Sequence, residues 1–267
     1  RDEIEEIRKA HGNPKADPRR TAIRPVEDEV EFSADDFIVE EDNVVIVSRD
    51  GWVKRQKEVR DLTTTRLREG DAVMAAVAGS TRATLGFFTN FGVAYTCRFV
   101  DVPASTGYGE PIQRLFKFKD GERVVAVLSL DPRVVGAIRP KRAGKVPPIH
   151  ALAVTSDGYS LRYSLEPFTE PSTRAGRRYA RPAARAEVVG VSQIEGGEVI
   201  IAATARARAM ICPVDEVNYL AGPGKGVILI KLKAGEDQVL GFVASTGDRD
   251  LLTVETSRGG TQTISTA

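Results

Sequence analysis

The side chains that could carry chemistry in this sequence are few and scattered. Two histidines, His11 and His150, and two cysteines, Cys97 and Cys212, stand far apart. No Cys-x-x-Cys or His-x-x-x-His spacing joins them, so no transition-metal site is expected. There is no Gly-x-Ser-x-Gly elbow, and no Cys–His or Ser–His pair sits in a catalytic frame. The stretch "AGPGKGV" (221–227) looks superficially like a phosphate loop, but its first glycine is misplaced and Gly226 follows Lys225 where Ser or Thr is needed. Acidic runs such as "EED" (40–42) read as solvated charge. No catalytic residue, metal ligand or cofactor is therefore expected.

What recurs is positive charge. Lys54, Arg55, Lys57, Arg60, Arg66 and Arg68 follow one hairpin-like stretch. Arg174, Arg177, Arg178, Arg181 and Arg185 lie in "RAGRRYARPAAR" (174–185), and Lys225, Lys231 and Lys233 lie further on. Arg139, Lys141 and Arg142 belong to "DPRVVGAIRPKRAGKVPPI" (131–149), which holds one acid, Asp131, and reads as a basic, extended excursion. Singly, such residues are solubilising surface. Lined up by repeated units, they would make a track for a polyanion.

The elements that must position them are strands. The chain has 267 residues, 28% charged and 42% hydrophobic, which suits a folded protein with a sizeable core. Apolar runs such as "VVIV" and "GVILI" are strand-length, so no membrane span is expected, and Cys97 and Cys212 read as buried free thiols of a reducing cytoplasm. Residues 1–42 hold 7 Lys/Arg and 14 Asp/Glu, a net of −7, which leaves the remainder at +8. Within 1–42, "DEIEEIRKAH" (2–11) predicts a helix stopped by Gly12-Asn13-Pro14, followed by an acidic linker with one edge strand around "VEFSADDF" (30–37).

From residue 43 to 267 the pattern is β, and it repeats. "VVIVSRDGWVKR", "TLGFFTNFGVAYT", "ALAVTSDGYSLRY", "VIIAATARARAMI" and "LLTVETSRGGTQT" each read strand, tight turn, strand. The turns close on Gly51, Gly92, Gly158, Ala207 and Gly259, at intervals of 41, 66, 49 and 52 residues. Ala207 departs from glycine, which predicts a different turn geometry there. The first four copies end in a second pattern: "GDAVMAAV" (70–77), "GERVVAVL" (121–128), "RAEVVGVS" (185–192) and "EDQVLGFV" (236–243). A period near 50 residues with about four strands is a propeller blade. The fold class expected is all-β, with about five blades. The last is incomplete, standing alone or closed by the 27–40 segment. In "GYSLRYS", alternation predicts Tyr159, Leu161 and Tyr163 inside and Ser160 and Arg162 outside.

Several blocks resemble a known family. "FIVEEDNVVIVSRDGWVKR" (37–55), "RLFKFKDGERVVAVL" (114–128) and "GPGKGVILIKLKAGEDQVLGF" (222–242) resemble the C-terminal domain of bacterial type IIA topoisomerase A subunits, meaning the gyrase A protein and its topoisomerase IV counterpart. "EIEEIRKAHGNPKADPRRTAI" (3–23) resembles the segment joining that family's catalytic core to this domain. The resemblance implies a β-pinwheel, a propeller-like ring whose blades exchange strands, with duplex DNA bent around a basic rim. It also implies a parent ATP-dependent topoisomerase acting on supercoiling or decatenation in the bacterial cytoplasm, at the nucleoid. The partners it implies are double-stranded DNA, the rest of the A subunit and an ATPase B subunit in a heterotetramer. The family's catalytic residues lie upstream of this stretch. Gyrase A subunits carry a Gln-Arg-Arg-Gly-Gly-Lys-Gly-type box after the first hairpin. "RDLTTTRLREGDAV" (60–73) stands there instead, and "RAGRRY" and "AGPGKG" are partial echoes, which points to the topoisomerase IV type. On this reading DNA contacts fall to Lys54, Arg55, Lys57, Arg66, Arg68, Arg139, Lys141, Arg142, Arg174, Arg177, Arg178, Arg181, Lys225 and Lys231. The alternative is a propeller-type module that binds an acidic protein partner, for which an exposed apolar patch would speak.

Overall fold

The computed structural model describes residues 1–12, 38–142, 145–233, 235–247 and 252–264, and the chain divides into two units, 1–37 and 38–267. In the first unit, helix α1 (Asp2–His11) has Asp2, Glu3 and Glu5 in its first turn and Arg8, Lys9 and His11 in its last. That order complements the helix dipole. The strand expected at 30–37 lies outside the described residues.

The second unit is a succession of short strands, antiparallel in all but one pairing among the described residues. In chain order these are β1 (Asp42–Ser48), β2 (Trp52–Gln56), β3 (Val73–Ser80), β4 (Thr84–Thr89), β5 (Val93–Arg98), β6 (Glu110–Pro111), β7 (Val124–Ser129), helix α2 (Pro132–Val135) and β8 (His150–Thr155). They continue as β9 (Tyr159–Tyr163), β10 (Arg177–Arg178), β11 (Val188–Ile194), β12 (Val199–Thr204) and β13 (Ala209–Pro213). The last are β14 (Tyr219–Leu220), β15 (Val227–Ile228), β16 (Val239–Ser245), β17 (Leu252–Glu255) and β18 (Thr261–Ile264). Four sheets result, ordered β3-β1-β2-β6, β7-β4-β5-β10, β11-β8-β9-β14 with β15 also on β9, and β16-β12-β13. The fifth copy is a lone hairpin, β17 with β18. The closing strands β3, β7, β11 and β16 pack one on the next, so the sheets follow one another as propeller blades.

Each blade is locked by the same local chemistry. A Ser or Thr opens every hairpin, and its carbonyl accepts the N–H of the left-handed residue three positions on: Ser48–Gly51, Thr89–Gly92, Thr155–Gly158, Thr204–Ala207 and Thr256–Gly259, at 2.9–3.1 Å. The Ser48, Thr155, Thr204 and Thr256 hydroxyl oxygens also accept the N–H of the residue after the left-handed one. The next residue of each of the first four turns donates its N–H to the closing pattern: Arg49 to Ala72, Asn90 to Arg123, Ser156 to Glu187 and Ala205 to Gln238. The register shifts beside every one of these joints. A bulge at a fixed place re-aims the strand identically in each blade.

Three sequence expectations are corrected. Ala207 adopts φ +54° and the same turn hydrogen bond as the glycines, so the missing glycine does not change the turn. Arg162, expected outside, is 8% exposed and Ser160 is fully buried. The alternation held only for a two-stranded hairpin, whereas β14 and β15 of the following repeat pair with this strand, and the segment leading into β14 supplies Asp215 (2.8 Å) and the Val217 carbonyl (2.6 Å) to the guanidinium. The 131–149 excursion is not simply extended. Asp131 caps α2, Val135 and Ile138 are buried, and the Asp131 carboxylate accepts N–H bonds from Ser80 of β3 and from Arg133. Arg133 in turn reaches Asp42 at 2.7 Å, so the insertion ties the second blade to the start of the first.

Two outcomes are expected. Gly158→Ala destabilises the domain by about 2–4 kcal/mol in urea unfolding, because the added Cβ would overlap the Ile230 carbonyl. Gly259→Ala, with the same left-handed φ but open space around it, costs only about 1 kcal/mol. Hydrogen bonds from Arg133 chiefly, with help from backbone amides, hold the Asp131 carboxyl down at about 2. A carboxylate depressed in the folded state stabilises above its unfolded pKa, near 4, and that stability is lost as pH falls toward 2. Asp131→Asn should remove about 2 kcal/mol at pH 7 and flatten the acid limb of the stability curve between pH 4 and 2.

Candidate nucleic-acid interface

The basic segments lie where one repeat crosses onto the sheet of the previous one. β6 pairs with β2, β10 with β5, and β15 with β9, and in each case the donor belongs to the following repeat. The register is the same three times: Glu110 opposite Val53, Arg177 opposite Ala94 and Val227 opposite Ser160, each two residues after the turn glycine. Immediately before each donated pair stands a left-handed glycine, Gly109, Gly176 or Gly226, with φ of +86°, +70° and +86°. A Cβ there would overlap the Val53 carbonyl at Gly109 and the Ser160 carbonyl at Gly226, so only glycine lets the two backbones approach. Three residues after each glycine a buried apolar side chain docks: Ile112, Tyr179 and Leu229. Their N–H groups bond the carbonyls of the hairpin glycines Gly51, Gly92 and Gly158. Burying a side chain of this size contributes roughly 1.5–3 kcal/mol, and Tyr179 also stacks on Tyr163 at 5.2 Å between ring centres.

Five residues after the same glycines stand Arg114, Arg181 and Lys231, all exposed. The motif is Gly-x-x-apolar-x-Arg/Lys, and it sets one cation at the same step of three successive joints. Arg114 was not among the residues anticipated from the sequence. The signal that could have found it is the spacing from Gly109, which is hidden because the residues between differ in each repeat. Arg114 pairs with Glu110 at 2.5 Å, an exposed contact of little weight.

The other anticipated cations fall into four groups. Arg177 and Arg178 are exposed on β10, and Lys225 stands just before Gly226. Its ammonium lies 3.7 Å from the Tyr159 ring centre and 3.8 Å from Asp157. Arg174 is exposed and donates to the Arg114 carbonyl, which brings the first and second joints' basic segments together. A second group lies on the first blade: Arg66 is exposed, Arg68 lies over Trp52 at 4.7 Å, and Lys57 pairs with Glu41 at 3.2 Å. On the insertion, Arg139 pairs with Glu166 at 3.2 Å, while Lys141 and Arg142 are exposed and have no ion pair among the described residues.

The fourth group faces inward. Lys54 is 2% exposed, with its ammonium on the carbonyls of Arg66 (2.6 Å) and Gly107 (2.7 Å). Burial pulls its pKa down and the Arg66 charge adds to this. Arg55 is half-buried and bonds Asn43 and the Val102 carbonyl. These two clamp the 57–72 loop and the crossing segment to β2, so the direct contact anticipated for Lys54 is not available to it. Sequence position alone could not separate them from Lys57 or Arg66, since burial depends on a strand that arrives fifty residues later. Among the described residues no three His, Cys, Asp or Glu side chains cluster as metal ligands, and no helix is long and apolar enough to cross a membrane.

Blades completed by strands from the next repeat define a β-pinwheel. A family model described as the DNA gyrase C-terminal domain, a beta-propeller, matches residues 87–131 and 198–245. The DNA gyrase A subunit of Aminobacterium colombiense is 28% identical over 97% of this chain, which spans 30% of that protein. The crystal structure of the C-terminal domain of DNA topoisomerase IV superposes with a TM-score of 0.73 at 20% identity, covering 85% of this chain and 68% of that one. The DNA gyrase A C-terminal domain gives 0.54 at 19% identity, covering 80% and 69%. In sequence and in fold, the chain resembles the C-terminal domains of the gyrase A and topoisomerase IV A subunits, with the two kinds not separated.

Lys54→Met leaves two carbonyls without a donor. It should cost about 1–3 kcal/mol in thermal or urea unfolding while leaving the salt dependence of any polyanion binding unchanged.

Proposed function

We propose that this domain binds duplex DNA without sequence preference and bends it along the exchange joints, serving the A subunit of a type IIA topoisomerase. The observation that carries the reading is the recurrence of exposed Arg114, Arg181 and Lys231 at one step of three successive joints. Arg177, Arg178 and Lys225 add charge on the same donated segments. A duplex offers equal phosphates at regular intervals, so a repeated cation on a repeated unit matches it without base contacts. Bending a short duplex by 40–90° costs on the order of 1–6 kcal/mol, so contacts must be spread over several blades.

The loop at 60–73 supports the topoisomerase IV type over a wrapping gyrase. It forms a single turn at Leu62–Thr64 capped by Asp61, without the glycine-rich box. The proposed role draws on no cofactor and belongs to the bacterial cytoplasm and nucleoid. Strand cleavage and ATP turnover would fall to the rest of the A subunit and to the B subunit.

The test is affinity for duplexes of increasing length over a salt series. Affinity should rise with length until the joints are filled, with log K falling steeply against log salt. Replacing Arg114, Arg181 and Lys231 together by Ala should reduce that slope by roughly 0.9 for each phosphate no longer neutralised. Binding that is absent at low salt, or an unchanged slope, would sink the reading.

A further inference from the structure

Among the described residues, the fourth blade has no counterpart of the strand that completes the other three. In β2, β5 and β9 the backbone groups of the second and fourth residues past the turn glycine face outward and are taken up by the following repeat. Val53, Ala94 and Ser160 sit opposite the donated pairs, while Arg55 donates to Pro103, Thr96 accepts from Ser172, and Arg162 donates to Asn218. The equivalents in β13 are Ala209 and Ile211. Among the described residues β13 pairs with β12 alone, so this edge has no partner there. Beside it Met210 and Ile211 are 37% and 45% exposed.

An open edge with apolar side chains is a template for another strand. Ala207 narrows what can fill it. At Gly92 and Gly158 a Cβ would overlap a donor carbonyl, that of Ala180 or Ile230. At Gly51 the nearest atom to an added Cβ is Ile112 Cγ2 at 3.6 Å, an ordinary contact. A turn closed by alanine therefore fits a crossing segment of the first-joint kind, Gly-Glu-Pro-Ile, and clashes with the other two. Exposed Arg206 in the turn, 4.0 Å from Glu236, and exposed Arg208, whose guanidinium donates to the Lys231 carbonyl, make the start of this edge basic and suit an acidic residue in the docked segment.

We propose that the outer edge of β13 is a docking site for an extended segment of a partner polypeptide, of the form Gly-acidic-x-aliphatic, added as a fourth strand antiparallel to β13. The site stands on the sheet edge and is independent of the DNA reading.

The test uses a fluorescent peptide of residues 102–116, VPASTGYGEPIQRLF, which includes the Pro103 carbonyl that serves Arg55 at the first joint, added to the intact chain. Anisotropy should saturate, and hydrogen exchange at the Ala209 and Ile211 amides should slow when the peptide is present. A peptide carrying Gly109→Val should bind at least tenfold more weakly, as should the chain carrying Ile211→Pro, which removes one outward N–H. A peptide of residues 174–183 should bind only after Ala207→Gly. The proposal fails if no saturation occurs with a folded chain, or if exchange slows elsewhere and the Gly109→Val peptide binds equally. It also fails if sedimentation shows self-association that protects these amides without peptide, since a second copy would then be the occupant.

Discussion

The whole β unit depends on one hydrogen bond repeated three times, from the backbone of the following repeat to the carbonyl of the hairpin glycine. Ile112 makes it to Gly51, Tyr179 to Gly92 and Leu229 to Gly158. A three-stranded blade leaves its outer strand with unpaired backbone groups, which are costly to bury and prone to mispairing when exposed. The donated segment satisfies them and brings an apolar anchor with it. Each blade is therefore finished only when the next one has been placed. Stability passes along the chain from neighbour to neighbour, with the closing strands β3, β7, β11 and β16 packed in sequence.

That constraint also decides where charge can go. A crossing segment lies on the outside of a finished sheet, so residues that follow its anchor are exposed, and cations there are presented at blade intervals. Cations under the crossing segment meet the opposite fate. Lys54 and Arg162 are enclosed: the Lys54 ammonium is held by the Arg66 carbonyl of its own blade's loop and the Gly107 carbonyl of the crossing chain, and the Arg162 guanidinium by the Val217 carbonyl and Asp215. Removing a partner from such a buried charge is expensive, so these residues act as clamps that hold the joint in register. The same residue type thus positions the backbone at one site and offers charge to solvent at another, and the difference is a single covering strand.

The joints are not equivalent in detail. The first turns away after Ile112 into a single 3-10 turn, while in the second and third a carbonyl crowds the hairpin glycine. The insertion between the second and third repeats adds a further tie, through Asp131 and Arg133, back to the first blade. The fourth sheet keeps the shared hairpin geometry but, among the described residues, not the donated strand.

Read alone, the sequence determined the local units: helix α1, the hairpins at Gly51, Gly92, Gly158, Ala207 and Gly259, and the closing patterns. These follow from turn chemistry and alternation, which act over a few residues. It also carried the resemblance to the topoisomerase A-subunit domain and the presence of basic segments at 174–185 and 225–233. It did not reveal that "GYGEPIQR", "AGRRYAR" and "GKGVILIK" are one motif, because only the glycine, the anchor and the cation are shared. Nor did it tell buried Lys54 and Arg162 from exposed Arg66 and Arg181. Those distinctions were settled by the tertiary structure, for a physical reason. Whether a strand residue faces water depends on the strand laid beside it, and here that strand comes from the next repeat, some fifty residues along the chain.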